Sequence, residues 1–120
     1  MNFFILKEFI WRNLTLTWKI AQFNEDISQN DQIRDVEAAL EVWGRYVHLE
    51  FVRVEQNESS SLNFFFASRD HGDCCPFDGK GGVLAHAFYP RTFSQGDVHY
   101  DNDEFWTVRN PSELQNRDVF

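Results

Sequence analysis

The run HGDCCPFDGKGGVLAHAF, residues 71–88, places two histidines, two aspartates, two cysteines and four glycines in eighteen positions. Imidazole, carboxylate and thiolate are the side chains that hold metal ions, and glycine lets a loop turn its carbonyls toward one. His99 lies further along, so three of the chain's four histidines, His71, His86 and His99, fall within 29 residues, and Asp73 stands two positions after the first. Three imidazole nitrogens and one carboxylate oxygen make a tetrahedral zinc set. Four protein ligands leave no open position for water, so such a site is structural: it ties loops together and activates no nucleophile. A single histidine is more often a surface or satisfied core residue, and it is the joint pattern that raises the metal reading.

Oxygen ligands are present as well. FDGKGGV offers the carboxylate of Asp78 and backbone carbonyls freed by Gly79, Gly81 and Gly82, and DNDE at 101–104 adds carboxylates. Mixed side-chain and backbone oxygens are what calcium takes. The alternation Asp97, His99, Asp101, Asp103 is not an EF-hand, because its glycine and distal glutamate are missing, and GKGG lacks the spacing and Lys-Ser/Thr pair of a phosphate loop. Cys74 and Cys75 are adjacent, which rules out a loop-closing disulfide or a CxxC pair within the chain. A vicinal disulfide, two free thiols, or two residues that merely fill apolar loop positions remain open.

Composition narrows the partners. A chain of 120 residues with 42% hydrophobic and 17% aromatic content makes one globular domain with one core. Eleven basic against nineteen acidic residues, net charge -8, argue against nucleic acid and toward cations. Acidic residues crowd between Asp70 and Glu104; the alternative is a solvated acidic surface. The apolar start MNFFILKEFIW is interrupted by Lys7 and Glu8 and is followed by no small-residue cleavage site, so neither a signal peptide nor a membrane segment is expected there. Sequons at Asn13 and Asn57 matter only if the chain is secreted.

Elements must bring these ligands together. Leu14, Leu16, Trp18 and Ile20 alternate with Thr15, Thr17, Lys19 and Ala21, which predicts a half-buried strand over 14–23. Ile33, Val36, Leu40, Trp43 and Val47 step by three and four, which predicts one face of a long helix capped by Ser28 or Asn30. HLEFVRV at 48–54 and SLNFFFA at 61–67 predict two more strands, and VLAHAF at 83–88 and DVHY at 97–100 two short ones among loops. The expected class is α+β: a mixed, mostly parallel, twisted five-stranded sheet with one long helix packed on it.

HGD…FDG…AHAF followed by GDVHYDNDEFW closely resembles the catalytic domain of the matrixins, the matrix metalloproteinases, and Trp11 to Ile20 and EVWGRYVHLEF resemble that family's first strand and helix. The resemblance covers residues 11–106. It implies a metzincin-like fold, a structural zinc on His71, Asp73, His86 and His99, and a calcium on Asp78, the carbonyls of Gly79, Gly81 and Val83, and the carboxylates of Asp101 and Glu104. It also implies a second calcium on Asp97 with carbonyls near Ser61 and Arg91 to Gln95, although Ser61 stands where the family usually has aspartate. Gly82, Val83, Leu84 and Ala85 would form the rim on which an extended peptide substrate pairs by its backbone.

The departures from the family are equally specific. The catalytic HExxHxxGxxH, whose histidines hold a catalytic zinc and whose glutamate is the general base, is not among these residues, since no histidine is followed by glutamate. Val119 and Phe120 resemble the segment leading into that helix. The expectation is a partial catalytic domain at 11–106, after an N-terminal extension at 1–10, with 107–120 a tail leading toward an absent active-site helix and C-terminal subdomain. The chain alone is expected to be inactive. The family implies extracellular location, matrix-protein or extended-peptide substrates in a complete form, a proteinaceous inhibitor as a further partner, and a monomer. The competing expectation is a non-enzymatic, metal-stabilised module that binds peptides or an inhibitor along 82–86; a third is that these residues alone do not fold stably.

Overall fold

The computed structural model describes residues 11–90, 94–108 and 118–120. The elements are β1 (Thr15–Gln22), α1 (Gln29–Gly44), β2 (Glu50–Arg53), β3 (Leu62–Ala67), β4 (Ala85–Ala87), β5 (Asp97–Asp101), β6 (Trp106–Thr107) and β7 (Asp118–Val119). The first five strands form one sheet in the order β2-β1-β3-β5-β4. Its β1–β2, β1–β3 and β3–β5 pairs are parallel and β4–β5 is antiparallel. This is the expected mixed α+β sheet with one helix. A parallel pair needs a long crossover, and α1 supplies it between β1 and β2.

The alternation in β1 buries Leu16, Trp18 and Ile20. Leu14, expected among them, precedes the strand and is 69% exposed, because the alternation that points its neighbours inward does not yet govern it. Ser28 proves to be the helix cap: its Oγ accepts from the Asp31 N–H at 3.1 Å. Val36 is buried with Trp18 and Ile20, and Ile33, Leu40, Phe51 and Phe64 pack around them. The helix ends at Gly44, so Val47 lies beyond it, and Trp43 is 65% exposed. Trp43 borders a cleft lined also by Leu40, Phe64, Tyr100 and Phe120, whose openness explains why a residue on the apolar face stays wet.

Side chains one residue apart on a strand point to opposite faces. Phe64, Phe66 and Tyr100 therefore lie on the helix side, while Phe65 and His99 lie on the other. A second apolar cluster, Ile27, Phe66 and Trp106 with Tyr100, Val108 and Phe120, extends the helix-side core toward the small β6–β7 pair. Trp106 is fixed there by two hydrogen bonds, from its backbone N–H to Asp26 Oδ2 at 3.0 Å and from Nε1 to the Asp101 carbonyl at 2.7 Å.

Candidate metal centre

His86 and His99 face each other across the antiparallel β4–β5 pair, and directly opposite residues share a face of the sheet. The loop from Ser68 to Lys80 brings His71 and Asp73 over that face. His71 Nε2, His86 Nε2 and His99 Nδ1 lie 2.9, 2.8 and 2.9 Å from Asp73 Oδ2. His99 Nδ1 is also 2.9 Å from His71 Nε2 and 3.0 Å from His86 Nε2. Among the described residues, these four form the group of three or more metal-binding side chains whose ligand atoms lie within 4.8 Å of one another.

Hydrogen bonding alone does not satisfy this cluster. His71 Nδ1 donates to the Arg69 carbonyl at 2.8 Å, since a carbonyl only accepts, and this turns Nε2 into the cluster. His99 Nδ1 has three close partners, two of them nitrogens, and has at most one proton to offer. Four ligating side chains converging on one point in this way are able to hold a cation. Tetrahedral zinc, with bonds of about 2.0–2.1 Å, separates its ligand atoms by about 3.3 Å. The observed spacings fall a few tenths of an ångström short of that, so the donor set fits zinc with small side-chain movement.

The surroundings suit such an ion. The Phe77 ring, buried, stacks on His71 and His86 at 4.8 and 4.7 Å between centroids. Phe65 and Phe88 flank His99 at 4.0 and 5.2 Å. A dry aromatic wall of this kind limits solvent access and strengthens the electrostatics inside it. Burial works to raise the Asp73 pKa, but the Cys75 N–H, the His86 bond and the nearby imidazoles outweigh it and bring the carboxyl down to about 2. Burial, and next repulsion from His86, hold His99 below the ordinary imidazole range. Both shifts favour the forms that ligate a metal, carboxylate and neutral imidazole. His99 Nε2, buried, has no hydrogen-bond partner and lies 3.7 Å from Asp97 Oδ2.

The other expected residues are placed as follows. Asp101 is fully buried; its Oδ1 accepts from the Asp103 N–H, and its Oδ2 has no hydrogen-bond partner. Burial, with Asp103 and Asp78 nearby, pushes its carboxyl up. Glu104, also buried, accepts from the Gly81 N–H, and Asp78 Oδ2 accepts from the Val83 N–H at 3.3 Å. Gly79 has φ +83°, a left-handed backbone that favours glycine, so the loop takes glycine for its turn. Ser61 exchanges hydrogen bonds with Thr17, and Asp97 Oδ1 accepts from Asn63 Nδ2 at 3.1 Å. Part of the Arg91 to Gln95 carbonyl set, residues 91–93, lies outside the described residues. Gly82, Val83, Leu84 and Ala85 are all exposed, and β4, which begins at Ala85, is an edge strand. Among the described residues no helix is long and apolar enough to cross a membrane.

Two contributors escaped the reading of the sequence. Phe77 looked like part of a calcium loop, and its flanking Pro76 and Asp78 gave no sign of burial. The Arg69 carbonyl, which also accepts from the Phe77 N–H at 2.9 Å, depends on a left-handed Arg69, φ 51°, that no side-chain pattern announces.

Residues 10–119 match the sequence model described as Matrixin. Stromelysin-3 of Xenopus laevis is 42% identical over 107 residues, covering 89% of this chain and 22% of that protein. Matrix metalloproteinase-18 of Xenopus laevis is 40% identical over 112 residues, 93% of this chain and 23% of that protein. Matrix metalloproteinase-20 of Homo sapiens is 42% identical over 98 residues, 82% and 20%. The chain thus spans under a quarter of the length of these curated relatives.

Proposed function

Because the chain belongs to the matrixin family, we propose that its residues form the metal-stabilised, substrate-aligning part of a zinc metalloendopeptidase catalytic domain that acts on extracellular proteins. The observation that carries this reading is the convergence of His71 Nε2, Asp73 Oδ2, His86 Nε2 and His99 Nδ1 beside an exposed edge strand. These four would hold a structural zinc, which supplies charge neutralisation and cross-linking of the 69–80 loop to β4 and β5. The folded body of this part of the domain runs from β1 through the β6–β7 pair, with Phe120 packed against Phe66 and Trp106.

Calcium belongs to the same proposal. Asp101 Oδ2, buried without a partner, and the buried carboxylate of Glu104 support a cation held with Asp78 and the carbonyls of Gly79, Gly81 and Val83. A second calcium at Asp97 and Ser61 has the weaker support, because Asp97 is already turned toward Asn63 and His99.

The chain's own part in hydrolysis is alignment. An edge strand leaves alternate N–H and C=O groups unpaired, and an extended peptide pairs with them as an added strand. The Leu84 carbonyl accepts from the Asp101 N–H at 2.8 Å, which ties the start of the rim to β5. Ala85 of β4, with Gly82, Val83 and Leu84 leading into it, then presents backbone to a substrate. These 120 residues contain no HExxH, so the Lewis acid and general base of hydrolysis must come from other residues, and the chain by itself is inactive. The same exposed edge supports a second reading, binding of a peptide or proteinaceous inhibitor without catalysis.

Two measurements test this. Elemental analysis of the purified chain should find one tightly held zinc, and titration with an extended peptide should shift the amide resonances of 82–87 first. A chain that holds no zinc at neutral pH, or whose peptide-induced shifts map to α1, contradicts the reading. Peptide binding that persists in a complete chain bearing HExxH but never leads to cleavage would favour the second reading.

A further inference from the structure

Cys74 and Cys75 are joined as a vicinal disulfide, both residues are exposed, and they are the chain's two cysteines. They follow Asp73 directly. The Cys75 backbone N–H donates to Asp73 Oδ1 at 2.8 Å, while Oδ2 faces the three imidazoles at 2.8 to 2.9 Å. The nitrogen that orients this carboxylate is therefore an atom of the small ring that the disulfide closes. We propose that the Cys74–Cys75 disulfide is a thiol-exchange site whose reduction loosens the metal centre, an inference that rests on His71, Asp73, His86 and His99 being the zinc ligands.

The physical link is short. The ring restricts the torsions between Cys74 and Cys75 and so keeps the Cys75 N–H directed back at Asp73. Opening it returns those torsions to free rotation on an exposed loop, and the carboxylate loses the partner that selects which oxygen faces the imidazoles. Loss of an outer partner of a metal ligand commonly costs about 10–100-fold in affinity. Here the partner is weakened and not removed, so the expected effect is at the lower end, about tenfold.

By thiol exchange, reduction takes a dithiol reductant. Its thiolate attacks one cysteine sulfur, the Sγ–Sγ bond breaks as a mixed disulfide forms, and the second thiol resolves that bond. Cys74 and Cys75 end as thiols, having taken up two electrons and two protons, and the reductant ends as a disulfide. Exposure of both residues makes the first attack sterically open.

The test uses the zinc-loaded chain, oxidised or reduced with a water-soluble phosphine, mixed with excess chromogenic chelator. Zinc should leave the reduced chain about tenfold faster than the oxidised one. A Cys74→Ser, Cys75→Ser double variant, which has neither ring nor thiolates to recapture the ion, should release at the fast rate with or without phosphine. In the metal-free chain, reduction should also speed hydrogen exchange at the Cys75 amide, a readout that needs no zinc. Equal release from oxidised and reduced chains, or slow release from the double variant, overturns the inference and leaves the zinc reading standing. A chain that binds no zinc in either state overturns both.

Discussion

The two sides of the sheet are held together by different physics. On the helix side Trp18, Ile20 and Val36 are buried apolar side chains packed by Ile33, Leu40, Phe51 and Phe64. On the opposite side three histidines and an aspartate converge, and the chain over them is a long loop rich in glycine. One side gains stability from area removed from water, which no chelator affects. The other gathers four side chains able to hold a cation and supplies few buried apolar side chains beyond Phe77. The difference teaches that this protein's stability should divide into a metal-independent and a metal-dependent part.

Substitutions can break that division in order of size. His99→Ala removes a ligand that makes three of the five close contacts of the cluster, so it should cost the zinc-loaded chain several kcal/mol, out of the ~10 kcal/mol a structural zinc can contribute. In excess chelator the same variant should differ little from the parent in urea unfolding. Trp18→Ala should cost about 3–5 kcal/mol, and by the same amount with and without chelator.

Asp101→Asn sharpens the comparison because its sign should depend on calcium. In the metal-free chain a carboxyl pushed up by burial is destabilising when ionised, so at pH 7 the amide should be the more stable, and its advantage should shrink as the pH falls and Asp101 protonates. With calcium present the variant should instead be less stable than the parent, read as a loss of the calcium-induced rise in Tm. The smallest effect is Ser28→Ala, about 1 kcal/mol from the lost cap of α1, independent of either ion.

The helix side was the more legible of the two in the sequence. Periodicity alone placed β1 within a residue at each end and the start of α1, because a repeating apolar pattern reports which face is buried, but it ran α1 on to Val47, three residues past its end at Gly44. It failed at Leu14 and Trp43, where burial depends on what lies opposite and not on spacing. On the loop side, residue types and the matrixin resemblance pointed to His71, Asp73, His86 and His99, and the structure brings those four side chains together. The devices that orient them, the Arg69 carbonyl, the Cys75 N–H and the Phe77 lid, are backbone and packing features. Their donors and acceptors exist at every residue, so composition cannot distinguish the ones that are used.

Hydrogen exchange followed by residue, before and after zinc and calcium are chelated at neutral pH, tests the division most directly. The account predicts that chelation strips protection from the 69–80 loop and from β4 and β5 while β1 and α1 keep most of theirs. Uniform loss across both sides, or unchanged protection at His86 and His99, would contradict it.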